Sequence, residues 1–183
     1  FVVEVAGAVR DAVGDMAVGM RISGDELSPF GLTQSNIIEI CAALDQYNLL
    51  DYYNVIAGAS STLGSAVHNI PPMAIENAYT VPYAAAIKAR VRKPVFVAGR
   101  INQPQMAEQV LAAGHADMIG MTRALIADPE MPNKTRLGRI DDIRACIGCN
   151  QACAGHMHTG YSISCIQHPE TGRELTHGNK PKA

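Results

Sequence analysis

Tryptophan is absent from this chain, and three phenylalanines and six tyrosines among 183 residues give an aromatic share of only 5%. Proteins that grip single-stranded nucleic acid stack bases on aromatic side chains, so that mode has little to work with here. A dominant charge is missing too: 15 Lys and Arg face 17 Asp and Glu, for a formal net charge of −2. Nucleic-acid partners call for a basic stripe, and the sequence holds none. No apolar run approaches the roughly 20 residues that span a bilayer, so no membrane partner is expected. The start lacks both a methionine and the charged-then-apolar pattern of a secretory signal.

What the chain does have is cysteine in one place. Cys146, Cys149, Cys153 and Cys165 follow the spacing C-x2-C-x3-C-x11-C. Four thiolates gathered so tightly suit a soft metal centre, either an iron–sulfur cluster or zinc. Structural zinc usually takes two C-x2–4-C knuckles separated by a longer loop. Three cysteines crowded together with a fourth alone favour a 4Fe–4S cubane, with zinc and disulfides as the alternatives. Disulfides are a weak reading, because no secretory signal is present, a fifth cysteine, Cys41, leaves an odd count, and disulfide scaffolds are shorter. Cys41 falls on the apolar face of an expected helix and reads as a core residue. Dense thiols without a secretory signal fit a reducing cytoplasm.

The rest of the chain alternates between two periodicities. Val2 to Val13 reads as the body of an amphipathic helix stopped by Gly14, with nothing capping its start. That uncapped start suggests a chain cut inside or just before a helix. Strands are expected near 17–22, 51–57, 94–98 and 116–121, the first of them buried. Helices are expected after Thr33 and Ser35, from Pro82, from Gln103-Pro104 and after Thr122-Arg123, with a long Gly- and Ser-rich loop over 58–77. Alternating strands and helices make parallel βα units, and runs apolar on both sides predict a sheet covered on both faces. Periodicity alone does not separate a doubly wound sheet from a barrel. Four units are half of a (β/α)8 barrel, which typically needs about 250 residues.

Several residues stand where chemistry is expected. Arg21 interrupts an apolar strand, and a buried guanidinium must either be ion-paired or face a ligand. Gly99-Arg100 and Thr122-Arg123 close two successive strands. The last two βα loops of a barrel often bind phosphate, and arginines there add charge-assisted contacts. His68, in the long loop, is a weak candidate for an acid, a base or a substrate donor; a solvated loop histidine is the preferred reading. Tyr52, Tyr53 and Tyr79 read as packing residues. His156 and His158 lie between the third and fourth cysteines, where they would tune or shield a cluster.

The run Arg144-Ala145-Cys146-Ile147-Gly148-Cys149-Asn150-Gln151-Ala152-Cys153, with Cys165 beyond it, resembles the iron–sulfur flavoenzymes of the old yellow enzyme superfamily. The 2,4-dienoyl-CoA reductase branch shares this spacing, and trimethylamine dehydrogenase and related N-demethylases are similar. Val18 to Glu26, Val97 to Asn102 and Met121 to Pro129 carry the same likeness.

The resemblance implies an α/β fold: the C-terminal half of an FMN-binding TIM barrel over residues 1–139. A 4Fe–4S segment would follow over 140–168, and a linker over 169–183 toward FAD and NAD(P) domains. It implies FMN contacts from Arg21 at the pyrimidine end and from Gly99, Arg100, Thr122 and Arg123 at the phosphate, with Cys146, Cys149, Cys153 and Cys165 as cluster ligands. The two ligand sets are expected to be separate. The implied activity is that of an NADH:flavin oxidoreductase reducing an activated alkene such as a 2,4-dienoyl-CoA, with electrons from NAD(P)H. An N-methyl amine dehydrogenase is the alternative within the family, and a flavin-free structural metal module the alternative outside it. The family's tyrosine acid belongs to the half-barrel not seen here. Its loop histidine has no counterpart among Ser60, Ser61 and Thr62, His68 being further on.

Overall fold

The computed structural model describes residues 1–177, so the end of the expected linker, 178–183, lies outside the described residues. Four parallel strands form one sheet: β1 (Gly19–Ser23), β2 (Tyr52–Ile56), β3 (Val95–Ala98) and β4 (Met118–Gly120). They pair in chain order, β1-β2-β3-β4. A doubly wound sheet reverses its strand order partway along. Consecutive order without reversal is that of a barrel wall, which resolves the ambiguity the periodicity leaves.

Helices fill the crossovers. α1 (Val2–Val13) precedes β1 and stops at Gly14, whose φ of 59° a side chain would resist. α2 (Gln34–Gln46) begins at Thr33, whose N–H donates to the Asn36 side chain at 3.1 Å. α3 (Leu63–Ala66) is a single turn inside the long loop, and α4 (Val81–Lys88) has Pro82 in its first turn. α5 (Pro104–Ala112) opens on proline, α6 (Thr122–Ala127) follows β4, and α7 (Met131–Arg136) leads away from the barrel. α8 (His156–Thr159) and α9 (Glu174–His177) are short turns.

Register decides which side chains meet. Tyr53 lies opposite Val95 and Val55 opposite Val97, and all four are fully buried under α2, α4 and α5, with Cys41, Ala84 and Ile87 filling the space between. Burying each of the larger apolar side chains contributes about 1.5–3 kcal/mol. The other face carries Arg21, Asn54, Phe96 and Met118 in one row. Tyr52 and Phe96 stack on that face at 4.7 Å, yet both stay half-buried and Met118 is 52% exposed. Among the described residues this inner face stays partly open, which corrects the expectation of a sheet covered on both faces. β1 is likewise not buried as expected, because it is the edge strand, and Gly19 and Arg21 are exposed.

The amino-terminal ends of the strands are fastened by a repeated device. Asp51, just before β2, accepts the Val18 N–H at 2.7 Å and pairs with Arg10 at 2.6 Å. Asp117, just before β4, accepts the Val95 N–H at 2.9 Å and pairs with Lys88 at 2.7 Å. In both cases a carboxylate satisfies a strand-start donor and ties a helix to the sheet.

Candidate functional site

The carboxyl-terminal strand ends open into a cavity of about 340 Å³. Arg21, Gly99, Arg100, Thr122, Arg123 and His68 all border it, so every expected flavin contact lies on one end of the sheet. Arg21 forms no ion pair among the described residues. The interior salt bridge weighed for it is not seen.

Arg100 sits close enough to Arg123 to feel its charge. Burial, then the charge of Arg123, pulls the Arg100 guanidinium below its ordinary pKa. Arg100 also adopts a left-handed backbone with φ of 55°, and its buried Nε has no partner among the described residues. An unpartnered buried donor beside a second cation is a setting that an anion satisfies. A non-glycine residue held at positive φ is a form of strain that clusters at functional sites. Gly99 owes its identity to packing: a Cβ there would run into the Thr80 side chain.

His68 is half-buried rather than solvated, which corrects the sequence expectation. The Tyr79 hydroxyl donates to its carbonyl at 2.6 Å, and the two rings lie 5.6 Å apart. Its Nδ1 is buried without a hydrogen-bond partner among the described residues. The reason is the loop itself, which α3 stiffens: Thr62 Oγ1 accepts the Ser65 N–H at 3.2 Å, and Ser65 Oγ accepts the Ala59 N–H at 2.6 Å.

The four cysteines are free, partly buried, and border a second, smaller cavity lined also by Ile147 and Ile166. Backbone bonds bring the fourth to the other three: Ser164 N–H donates to Ala152 at 2.8 Å, and the Gln167 side chain donates to Ala145 at 2.9 Å. Among the described residues no three His, Cys, Asp or Glu side chains stand close enough to hold a metal ion, so the spacing's promise of sulfurs around one centre is met only as a shared cavity. Ligands of a cubane attach to different irons and stand further apart than ligands of one ion. The donor set fits a cluster on its own terms: four thiols, an apolar surround, and the Gly148 N–H donating to Cys146 Sγ at 3.4 Å. His156 and His158 border neither cavity, contrary to the shielding role considered for them; His156 Nδ1 lies 2.9 Å from the Ser162 carbonyl.

The two cavities adjoin, although the two expected ligand sets share no residue. Arg123, Cys146 and Cys153 border both. Gly148, at φ 70°, lets the Arg100 guanidinium pack against the cysteine loop where a Cβ would clash. Asn102 Nδ2 donates to the Cys146 carbonyl at 2.7 Å, and Met73 N–H to the Gly148 carbonyl at 2.9 Å. Arg123 Nη1 donates to the Pro71 carbonyl at 2.8 Å and to Asn150 Oδ1.

Sequence reasoning missed Asn102, Asn150 and Asp128. Asn102 lies two residues beyond the strand-end Arg100, a position that favours function and offers a signal. Asp128 is 4% exposed and gathers Lys134, the Glu130 N–H and the Arg144 N–H. Within the expected linker Thr171 is 7% exposed and its hydroxyl donates to the Ile126 carbonyl in α6 at 3.1 Å, while residues 172–177 are exposed.

Residues 1–142 match the NADH:flavin oxidoreductase / NADH oxidase family. The chain is 40% identical over 176 residues to a metal reductase of Desulforamulus reducens, covering 95% of this chain and 25% of that protein. It is 38% identical over 175 residues to the N,N-dimethylglycine/sarcosine dehydrogenase of Chromohalobacter salexigens, covering 95% and 25%. Among solved structures, a 2-naphthoyl-CoA reductase in complex with 2-naphthoyl-CoA superimposes with a TM-score of 0.87 at 29% identity, covering 96% of this chain and 26% of that one. The chain thus spans about a quarter of the length of the curated relatives it matches.

Proposed function

The chain belongs to the NADH:flavin oxidoreductase / NADH oxidase family, and from that premise we propose that it forms the second half of an FMN barrel joined to a 4Fe–4S segment, in an enzyme that reduces an activated alkene. The observation that carries this reading is the shared wall. Strand-end arginines and all four clustered cysteines surround two adjoining cavities, with Cys146, Cys153 and Arg123 between them.

In this proposal Arg100 and Arg123 hold the flavin phosphate by charge-assisted bonds, and Thr122, at the start of α6, adds a hydroxyl beside them. Arg21, on the inner face of β1, is the cation for the electron-rich pyrimidine edge. Cys146, Cys149, Cys153 and Cys165 hold the cluster. When bound, FMN supplies hydride transfer and the cluster supplies one-electron passage. FAD and NAD(P)H would be bound by parts of the enzyme beyond the region this chain represents.

The alkene reading rests on His68. An imidazole bordering the cavity, with its loop stiffened and its backbone held by Tyr79, suits a donor to the carbonyl of an enoyl thioester such as a 2,4-dienoyl-CoA. The amine reading is favoured by one observation, the 38% identity to a dehydrogenase of N-methylated glycines. Anaerobic stopped-flow mixing of the full-length enzyme separates them. Oxidation of the reduced flavin by a dienoyl-CoA, slowed by about 100-fold in His68→Ala, supports the alkene reading. Reduction of the oxidised flavin by dimethylglycine, with no turnover of the thioester, replaces it with the amine reading.

A further inference from the structure

Asn150 lies between the second and third cysteines in a left-handed backbone with φ of 58°, a conformation asparagine tolerates better than most residues. Both ends of its amide are engaged. Oδ1 accepts from Arg123 Nη1, and Nδ2 donates to the Ile70 carbonyl at 2.7 Å. The same Arg123 nitrogen donates to Pro71, the residue after Ile70. A strand-end arginine, the loop after β2 and the cysteine loop therefore close into one network. Because both of these bonds leave from Nη1, the Nε and Nη2 of Arg123 are left to serve an anion in the larger cavity.

We propose that Asn150 couples the two cofactor sites, so that a cluster held by the cysteine loop tightens FMN binding through Arg123, and FMN in turn protects the cluster. The proposal rests on reading Arg123 as a phosphate contact and the cysteines as cluster ligands. Its physical basis is ordering. Residues 143–150 form neither helix nor strand; single bonds to other segments hold them, from the Arg144 N–H to Asp128, from Asn102 to the Cys146 carbonyl and from the Met73 N–H to the Gly148 carbonyl, so the loop has no cooperative ladder of its own. A cluster bound to Cys146, Cys149 and Cys153 fixes the loop, hence Asn150, hence the Arg123 side chain. The rotamer entropy of that arginine is then lost before the phosphate arrives rather than on its arrival. Linkage makes the effect reciprocal. Asn150 is a positioning residue: it acts through Arg123 and needs no contact with either cofactor.

The test is a thermodynamic cycle in the full-length enzyme. FMN dissociation constants are measured by flavin fluorescence for wild type and Asn150→Ala, each with its cluster intact and with the cluster stripped by an iron chelator under anaerobic conditions. Stripping should weaken FMN by about 10-fold in wild type, within the usual range of coupling between sites, and by less than about twofold in Asn150→Ala. An independent arm needs no variant: removing FMN from wild type should speed cluster loss to the chelator. If Asn150→Ala does not assemble, Arg123→Lys replaces it, since lysine keeps the charge but cannot span Pro71 and Asn150 while serving an anion. Equal weakening in wild type and variant, or FMN affinity and cluster lifetime in wild type that ignore each other, overturns the coupling while leaving the proposed function intact. A protein that takes up neither FMN nor iron overturns the reading beneath it.

Discussion

Asp128 and Lys134 form an ion pair 2.5 Å apart in which the carboxylate is only 5% exposed, and the same oxygen accepts the N–H of Arg144, two residues before the first clustered cysteine. Lys134 Nζ also reaches the Asp142 carbonyl at 2.9 Å. One buried charge therefore fastens the end of the barrel to the entrance of the cysteine loop. Burial pushes the Asp128 carboxyl upward, but the Arg144 N–H and Lys134 outweigh it, and the pKa falls below the ordinary value.

Removing that carboxylate leaves the Arg144 N–H unpaired and Lys134 with the Asp142 carbonyl but no counter-charge. Asp128→Ala should destabilise the intact enzyme by about 3 kcal/mol, the lower end for breaking a buried pair. Urea unfolding followed by flavin release measures it. A shift under about 0.5 kcal/mol, typical of a surface substitution, would show that the pair holds nothing.

Cys41 is fully buried, and burial pushes its thiol up to about 12. Only the thiolate reacts, so Cys41 should resist iodoacetamide at pH 8 in the folded protein. Cys146, Cys149, Cys153 and Cys165, all partly exposed, should alkylate once the cluster is stripped. Peptide mapping by mass spectrometry checks this; native labelling of Cys41 would contradict its placement in the core.

The strand-start aspartates predict an acid limb to stability. The Val18 N–H, then Arg10, holds the Asp51 carboxyl below its ordinary value; Lys88, then the Val95 N–H, does so for Asp117. A folded pKa below the unfolded one, near 3.9, contributes stability that is complete above that value and is lost as pH falls through the folded pKa. Stability should hold level down to about pH 5 and fall below about pH 4, with a shallower fall in Asp117→Asn. An unchanged acid limb in that variant would remove Asp117 from the account.

Gly148→Ala places a methyl group against the Arg100 guanidinium at a backbone φ of 70°. The left-handed conformation alone costs about 1–2 kcal/mol, and Arg100 must move aside. Flavin retention in the intact enzyme should fall severalfold. Gly64→Ala is the control, because nothing lies within 4 Å of a Cβ there. Equal flavin retention in both variants would mean that Arg100 does not serve the flavin site.

The sequence showed the strands because their apolar runs are short and bounded by Gly and Pro, and it showed the helix starts at Thr33, Pro82 and Pro104 because capping is local chemistry. The turns α3 and α7 escaped because 4 and 6 residues are too few for a period to show. Which face of the sheet is covered also escaped, since that depends on partners and not on the strand's own residues. The strand-end arginines were readable from their place after β3 and β4. Their ties to the cysteine loop were not, because Arg123 meets Asn150 across 27 positions and Asn150 meets Ile70 across 80.

Elemental analysis decides whether this chain joins a flavin site to an iron–sulfur site. The full-length enzyme is prepared anaerobically, and iron, acid-labile sulfide, zinc and FMN are assayed per chain, in wild type and in Cys165→Ser. The account predicts about four iron, about four sulfide and about one FMN at this site in wild type, with loss of the cluster and weakened FMN retention in Cys165→Ser. About one zinc with no labile sulfide, and no FMN, would contradict it.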